Sequence, residues 1–300
     1  MSFNVNYAEA YQKALANDYP HVLQFGRLWS TENNGKYKFV DAKTIKIPKM
    51  TTTGRVDGNR DSIDYSLFKR NHQNDYEVKT LKRHRTWTTL IHPKDVIESN
   101  MIMTITNATQ TMNETQKIPE LDCELIYDVR QAFIEAGGVP VTTALTQDNI
   151  LSIFDDLMAK MDEARVPKTG RICYVDTFTK QLIDNAKEIV RQNGDGSLQR
   201  AVSRIGEVEV LSVTTDVLKT NYNFAVGAVP AEDAKQIHMF IVHPSCLLPI
   251  ASYDFVGVGE PKAETQGKSI YFEESFEDFF ILNERKNAIA FVEDAEAIAG

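Results

Sequence analysis

The feature that most restricts the fold is a stretch of period-two patterning too long to fit inside a compact body. Tyr37 and Phe39 alternate with Lys36 and Lys38, and Ile45 and Ile47 alternate with Thr44 and Lys46, ending at Pro48. After a polar turn region, Thr53-Gly54-Arg55-Val56-Asp57-Gly58-Asn59-Arg60, the chain returns through Tyr65, Leu67, Tyr76, Val78, Leu81 and Trp87. This pattern predicts one long hairpin with a polar, basic tip. A strand over 36–50 would reach about 50 Å at roughly 3.3 Å per residue, whereas a body of 300 residues has a radius of gyration of about 19 Å. The hairpin is therefore expected to project. An isolated two-stranded hairpin is marginal in water and its open edges invite pairing, so it is expected to lie on a partner.

The charges divide along the chain in a matching way. Between 36 and 94 the basic residues include Lys38, Lys43, Lys46, Lys49, Arg55, Arg60, Lys69, Arg70, Lys79, Lys82, Arg83 and Arg85, with few acids. From 260 onward the sign reverses, with Glu264, Glu273, Glu274, Glu277, Asp278, Glu284, Glu293, Asp294 and Glu296 opposed mainly by Lys262, Lys268, Arg285 and Lys286. This complementarity suggests that one copy's hairpin meets another copy's C-terminal third. The formal net charge of -9 opposes nonspecific attraction to nucleic acid or anionic lipid. No apolar run reaches the roughly 18 residues of a membrane span, and the opening Met-Ser-Phe-Asn-Val-Asn-Tyr does not read as a signal peptide.

The remaining elements follow from periodicity and stop signals. A short helical pattern, Tyr7, Ala8, Tyr11 and Leu15, breaks at Asn17-Asp18-Tyr19-Pro20 and reads as an arm. Ile118-Pro119-Glu120 reads as a helix start, with Leu121, Leu125, Val129, Ala132 and Ala136 as its apolar stripe and Gly137-Gly138 as its stop. A second helix is expected after Thr146 or Asp148, with Ile150, Phe154, Leu157, Met158 and Met161 inward until Val166-Pro167. A strand over 172–175, a helix over 178–190 with Leu182, Ala186 and Ile189 inward, and strands over 207–213 and 237–242 give an α/β region. Three further strands are expected at 269–272, 279–282 and 288–292, and no internal repeat is found.

Motifs for chemistry mostly fail. Gly267-Lys268-Ser269 lacks the earlier glycine of a phosphate loop, that position being Lys262. Asn193-Gly194-Asp195-Gly196-Ser197 lacks the distal glutamate of a calcium loop and reads as a surface turn. The neighbouring pairs Asp155-Asp156 and Glu273-Glu274 cannot face each other for acid-base work. Cys123, Cys173 and Cys246 are odd in number and widely spaced, which suits a reducing compartment and buried thiols. His243 and Cys246 supply two metal ligands where zinc needs at least three from the protein. His72, His84 and His92 read as solvated or hydrogen-bonded imidazoles, and Met101-Ile102-Met103 as core. No catalytic, cofactor-binding or metal residue is assigned.

Taken in order, these elements resemble the major capsid proteins of tailed bacteriophages, with their Hong Kong 97-type fold. The residues that carry the resemblance are Tyr76-Glu77-Val78-Lys79-Thr80-Leu81-Lys82-Arg83-His84-Arg85 leading to Ile91-His92-Pro93-Lys94-Asp95, similar to the hairpin's return strand entering the peripheral domain. Ala164-Arg165-Val166-Pro167 to Arg171-Ile172-Cys173-Tyr174-Val175 resembles the axial-domain helix and strand, and Ile205-Gly206-Glu207-Val208-Glu209-Val210 the strand that follows. The resemblance implies an α+β fold: an N-terminal arm over 1–35, an extended hairpin loop over 36–90, a peripheral domain with a spine helix over 91–145, an α/β axial domain over 146–255, and a return to the peripheral domain over 256–300. It implies no enzyme and no cofactor. Copies would assemble through hexamers and pentamers into an icosahedral shell around double-stranded DNA, without sequence-specific binding and without a membrane. The expected partners are a separate scaffolding protein, since ordered patterning begins near Tyr7, together with portal and decoration proteins. The expected location is the virion, assembled in the host cytoplasm. An encapsulin-type nanocompartment shell, another phage structural protein, and an α/β enzyme using Cys173 or Cys246 stay open as alternatives.

Overall fold

The computed structural model describes residues 21–35, 37–41, 43–58, 60–61, 70–99, 104–186 and 202–296. The expected arm helix around Tyr7, the turn at Asn193, Met101-Ile102-Met103, Tyr65, Leu67 and Ile189 lie outside them.

β1 (Lys38–Phe39), β2 (Thr44–Thr52) and β3 (His72–Thr80) form an antiparallel sheet in that order. β4 (Arg85–Ile91) and the short helix α1 (Pro93–Glu98) follow. α2 (Ile105–Met112) passes through a π turn, Asn113–Lys117, into α3 (Ile118–Glu135). Next come α4 (Ile150–Glu163), β5 (Ile172–Asp176), α5 (Thr177–Asn185), β6 (Arg204–Ile205), β7 (Val208–Val213), β8 (Tyr222–Asn223), β9 (Val229–Pro230) and β10 (Ile237–Val242). The long strands β11 (Leu247–Gly259) and β12 (Ser269–Ile281) precede β13 (Ile289–Glu293).

A five-stranded sheet, β13-β10-β5-β7-β6, holds the main core. Its central strand β5 is buried at every residue, which requires cover on both faces. Tyr174, Phe240 and Phe291 point to one side, where Leu125, Ile126, Val129 and Phe133 of α3 meet them. Cys173, Val175, Met239, Ile241 and Val292 point to the other, against Ile150, Phe154, Leu157 and Met161 of α4 and Ile183 of α5. A second antiparallel sheet, β11-β12-β4, runs through the lower part of the molecule, and α3 packs on it as well. A bulge between Ala251 and Tyr253 interrupts the β11–β12 register.

Several expectations are corrected. The predicted strand over 36–50 folds at Asp41, whose Oδ1 accepts the amides of Lys43 (2.9 Å) and Thr44 (2.7 Å), so β1 turns back along β2. Trp87 leaves the hairpin and pairs with Glu273 in the second sheet. The hairpin's paired part is therefore 9 residues long, about 30 Å. The helix does not begin at Ile118: Lys117 has helical backbone angles, and the turns continue back to Ile105. Pro119 fits within it because the preceding turn is widened. The Ile118 amide donates to Asn113, five residues back, which gives the pyrrolidine ring room where an α turn would clash. α5 ends at Asn185, earlier than predicted, with Ile183 its fully buried residue and Leu182 half-buried. The predicted strands at 269–272 and 279–282 are one strand of 13 residues. β4 continues to Ile91, β11 runs from Leu247 to Gly259, and β13 joins the five-stranded sheet.

The stop of α3 is as expected. Gly137 takes φ +82°, its amide donates to Ile134 and that of Gly138 to Phe133, the paired bonds of a glycine-terminated helix. A Cβ on Gly138 would lie 2.4 Å from the Phe133 ring, which is itself packed 5.4 Å from Phe291. Gly138→Ala is expected to destabilise the protein by about 1–3 kcal/mol through this overpacking, read as a lower urea midpoint.

At one end of the five-stranded sheet, His238 on β10 bonds Asp176 (2.7 Å) and Asp294 (2.9 Å), tying three neighbouring strands together. The Asp176 hydrogen bond, above all, raises the imidazole to about 8. Stability from this tie is complete below the ordinary value of 6.5 and is lost as pH rises through about 8. His238→Gln is expected to lessen the decline in urea stability across that window; an unchanged pH profile would contradict the assignment.

Candidate interaction surface

The hairpin is anchored at its root by three kinds of contact. Ile45 and Ile47 of β2 and Leu81 pack on Leu248 and Ile250 of β11. Polar contacts lie alongside: Lys49 pairs with Glu284, Lys79 donates to Asn283 (3.1 Å), and Lys79 also pairs with Glu77 (2.8 Å). The third contact is the linker from β3 to β4. Asp278 accepts the amides of Lys82 (2.7 Å) and Arg83 (3.2 Å). The Arg83 guanidinium grips Asp128 through two bonds (3.1 and 2.9 Å) and reaches Glu124 at 3.3 Å, beneath the Phe224 ring at 4.1 Å. Burial pushes Glu124 up to about 8 and Asp278 up to about 6.

These contacts revise the charge argument. Complementarity between the basic hairpin and the acidic C-terminal third was expected to act between copies, yet part of it closes within one chain, where Lys49 pairs with Glu284 and His84 meets Glu274 (2.7 Å). Other charges pair outside that scheme: Arg85 meets Glu120, Lys117 meets Glu273 (3.3 Å) and Arg285 meets Glu32 (3.2 Å). At the tip, Arg55, Arg60 and Arg70 are exposed.

Beyond the root, one face of the hairpin exposes apolar side chains between Lys46 and Asn74. Residues opposite each other in an antiparallel pair share a face, and the β2–β3 register sets Pro48 beside Tyr76 and Lys46 beside Val78, with Met50 on the same side. Met50 is 70% exposed, and Tyr76 and Val78 are each 52% exposed. A second apolar face lies on the β11-β12-β4 sheet. Tyr253 pairs with Phe276, Phe255 with Glu274, Gly257 with Phe272, and Ile270 with Leu90. Rings meet along it: Tyr253 and Phe276 at 6.3 Å, Phe255 and Phe272 at 6.2 Å, and His84 stacked on Phe276 at 4.2 Å. Tyr253, Phe255 and Leu90 remain about half exposed. The chain's own hairpin root covers the lower end of this sheet, around Leu248 and Ile250.

The residues singled out from sequence do not converge. Cys123, Cys173 and Cys246 are buried, and burial pushes the first and last up to about 12 and Cys173 upward too, so all three remain thiols at neutral pH. His243 bonds Ser245 (2.7 Å) and Thr169 (3.1 Å). Gly267, at φ +75°, ends the turn between β11 and β12, and Ser269 opens a strand where a phosphate loop needs a helix. Asp155 and Asp156 are exposed on α4, and Glu273 and Glu274 point to opposite faces of β12. His72 is exposed, whereas His92 caps α1 by accepting the Lys94 amide (3.1 Å). Among the described residues, no group of three or more His, Cys, Asp or Glu could hold a metal ion, and no helix is long and apolar enough to cross a membrane.

Sequence reasoning missed the aromatic face and the Arg83 junction. Tyr253 and Phe255 flank Asp254 in the alternation of a half-buried strand, a signal that Leu247-Leu248-Pro249-Ile250 obscures.

No protein-family model matches the chain, and no curated protein matches it. Solved structures do match. The mature capsid of bacteriophage PhiM1 superposes with a TM-score of 0.69 at 15% identity, covering 97% of this chain and 92% of that one. The capsid structure of cyanophage P-SCSP1u gives 0.71 at 12% identity, over 97% and 94%. A Mycobacterium phage Che8 structure gives 0.61 at 12% identity, over 97% and 98%. The chain has the Hong Kong 97-type capsid fold, mixed α and β, over nearly its whole length. At these identities the likeness is one of fold.

Removing the Asp278 carboxylate leaves two main-chain donors at the hairpin root without their acceptor. Asp278→Ala is expected to cost about 1–3 kcal/mol in chemical denaturation, and a cost near zero would show that solvent replaces it.

Proposed function

We propose that this chain is a major capsid protein, self-assembling through hexamers and pentamers into an icosahedral phage head that encloses double-stranded DNA. The observation that carries the reading is the near full-length match, in both directions, to the capsid structures of bacteriophage PhiM1 and cyanophage P-SCSP1u. Two unpartnered apolar surfaces on one chain support it. The stripe of Pro48, Met50, Tyr76 and Val78 suits the aromatic face of a neighbouring copy, in the way the hairpin root already covers the lower end of that sheet. A contact between two different patches is heterologous and gives rings where the rotation between copies closes. Obligate interfaces of roughly 2,000–5,000 Å² are dominated by apolar burial, which fits the exposed Met50, Tyr76 and Val78 of the hairpin.

The role is structural, with buried thiols and no assigned catalytic group. A separate scaffolding protein, a portal and decoration proteins are the proposed partners, and the virion, assembled in the host cytoplasm, the proposed location. DNA would be contained without sequence-specific contacts, consistent with the net charge of -9.

Electron microscopy of the purified protein is expected to show closed shells or hexameric and pentameric rings; a monomer at every salt concentration would overturn the reading. Tyr76→Asp and Phe255→Asp, both on exposed positions, are expected to preserve the fold by circular dichroism and abolish assembly. Shells formed as well by both variants would remove these faces from the interface.

A further inference from the structure

Where the hairpin leaves the body, charge is concentrated beyond what a shell contact uses. The linker brings Lys82, Arg83 and His84, β4 brings Arg85, α3 brings Glu120, Glu124 and Asp128, β12 brings Glu273, Glu274, Glu277 and Asp278, and the π turn brings Lys117. Most of the cations are engaged elsewhere: Arg85 on Glu120, Lys117 on Glu273, His84 on Glu274. Arg83 is left with Asp128, Glu124 and, through its own amide, Asp278. Two carboxylates of α3 thus converge on one guanidinium held between Phe224 and Tyr127, while a third, from β12, accepts the Arg83 amide.

We propose that Arg83 is the positioning residue that fixes the hairpin's root on the body, and that loss of a proton from Glu124 loosens this hold. The proposal deepens the capsid reading, since the hairpin is the arm that reading uses. With Glu124 protonated, the group holds two carboxylates against one cation; ionisation adds a third negative charge in a poorly solvated place. Glu124 is the member placed to respond. It makes the longest of the side-chain contacts to Arg83, and it lines a cleft of about 790 Å³ between the helix and the sheet.

Burial raises Glu124 from 4.5 to about 8, and it raises Asp128, Glu277 and Asp278 as well. A folded-state value above the ordinary one gives stabilisation that is complete below 4.5 and lost as pH climbs through about 8. The packing of Ile45 and Ile47 on Leu248 and Ile250 involves no titrating side chain, so the root is expected to loosen without the hairpin detaching.

Hydrogen exchange on the full-length chain tests this. Protection of the Lys82 and Arg83 amides, corrected for intrinsic rate and divided by that of Phe154 and Leu157 in α4, is followed from pH 6.5 to pH 9 in wild type, Glu124→Gln and Arg83→Lys. The wild-type ratio is expected to fall about tenfold, the Glu124→Gln ratio to stay nearly level, and the Arg83→Lys ratio to be low throughout. A level wild-type ratio, or an equal fall in Glu124→Gln, overturns the proposal. If Arg83→Lys unfolds, its α4 amides reveal it, and the other two proteins still decide. Microscopy of the same samples keeps the two readings separate. Shells with a pH-independent root sink only this proposal, and a pH-dependent root without shells sinks only the capsid reading.

Discussion

An extended strand inside a fold must satisfy the hydrogen-bonding groups on both of its edges, and β12 has a strand on each side over 270–275. β11 covers one edge, β4 the other, and α3 lies against the sheet they make. The hairpin root then packs on the β11 end, and the linker into β4 runs past Asp278. The hairpin is thus fastened to this sheet through both β11 and β12. The five-stranded sheet is a separate construction, buried on both faces, and α3 joins the two by presenting Leu125, Val129 and Phe133 to one and its carboxylates to the other.

This arrangement explains why an acidic strand can sit at the centre of a fold. Glu273, Ser275 and Asp278 are buried, a composition that would normally drive a strand to the surface. Each acid has a local remedy. Glu273 accepts the Tyr271 hydroxyl (2.7 Å) and pairs with Lys117, and Asp278 accepts main-chain amides. Lys49 and His84 serve Glu284 and Glu274 of the C-terminal third at short range, whereas Arg83 and Arg85 turn to the acids of α3, so part of the segregation of charge along the chain is a folding instruction.

How much of this was legible follows from which signals are local. α4 was readable because Ile150, Phe154, Leu157 and Met161 repeat at helical spacing, and all four are buried. The end of α3 was readable because a glycine at positive φ is a local requirement, met at Gly137. Its beginning was not: Pro119 favours a first turn, and only the π turn before it, invisible in composition, lets the helix continue. β12 read as two strands because Glu273, Glu274, Glu277 and Asp278 look like a solvated break, and their partners lie far away in sequence. The candidate surface was half legible. That a hairpin projects followed from strand length; which of its faces stays apolar and which charges pair at home depended on register and on contacts up to about 235 residues apart.

The bulge at Ser252 has a consequence of counting. Below it, Leu248 and Ile250 share the sheet face that the hairpin root covers; above it, Tyr253 and Phe255 continue that face. Simple alternation from Ile250 would have placed Ser252 and Asp254 there and turned the rings away. One inserted residue therefore acts as a phase shift, converting a hydroxyl and a carboxylate into two aromatic rings without altering the strand's composition or its buried half. The adhesiveness of this surface is written in the parity of the chain, and a single-codon insertion or deletion on β11 would invert it while the core stayed the same.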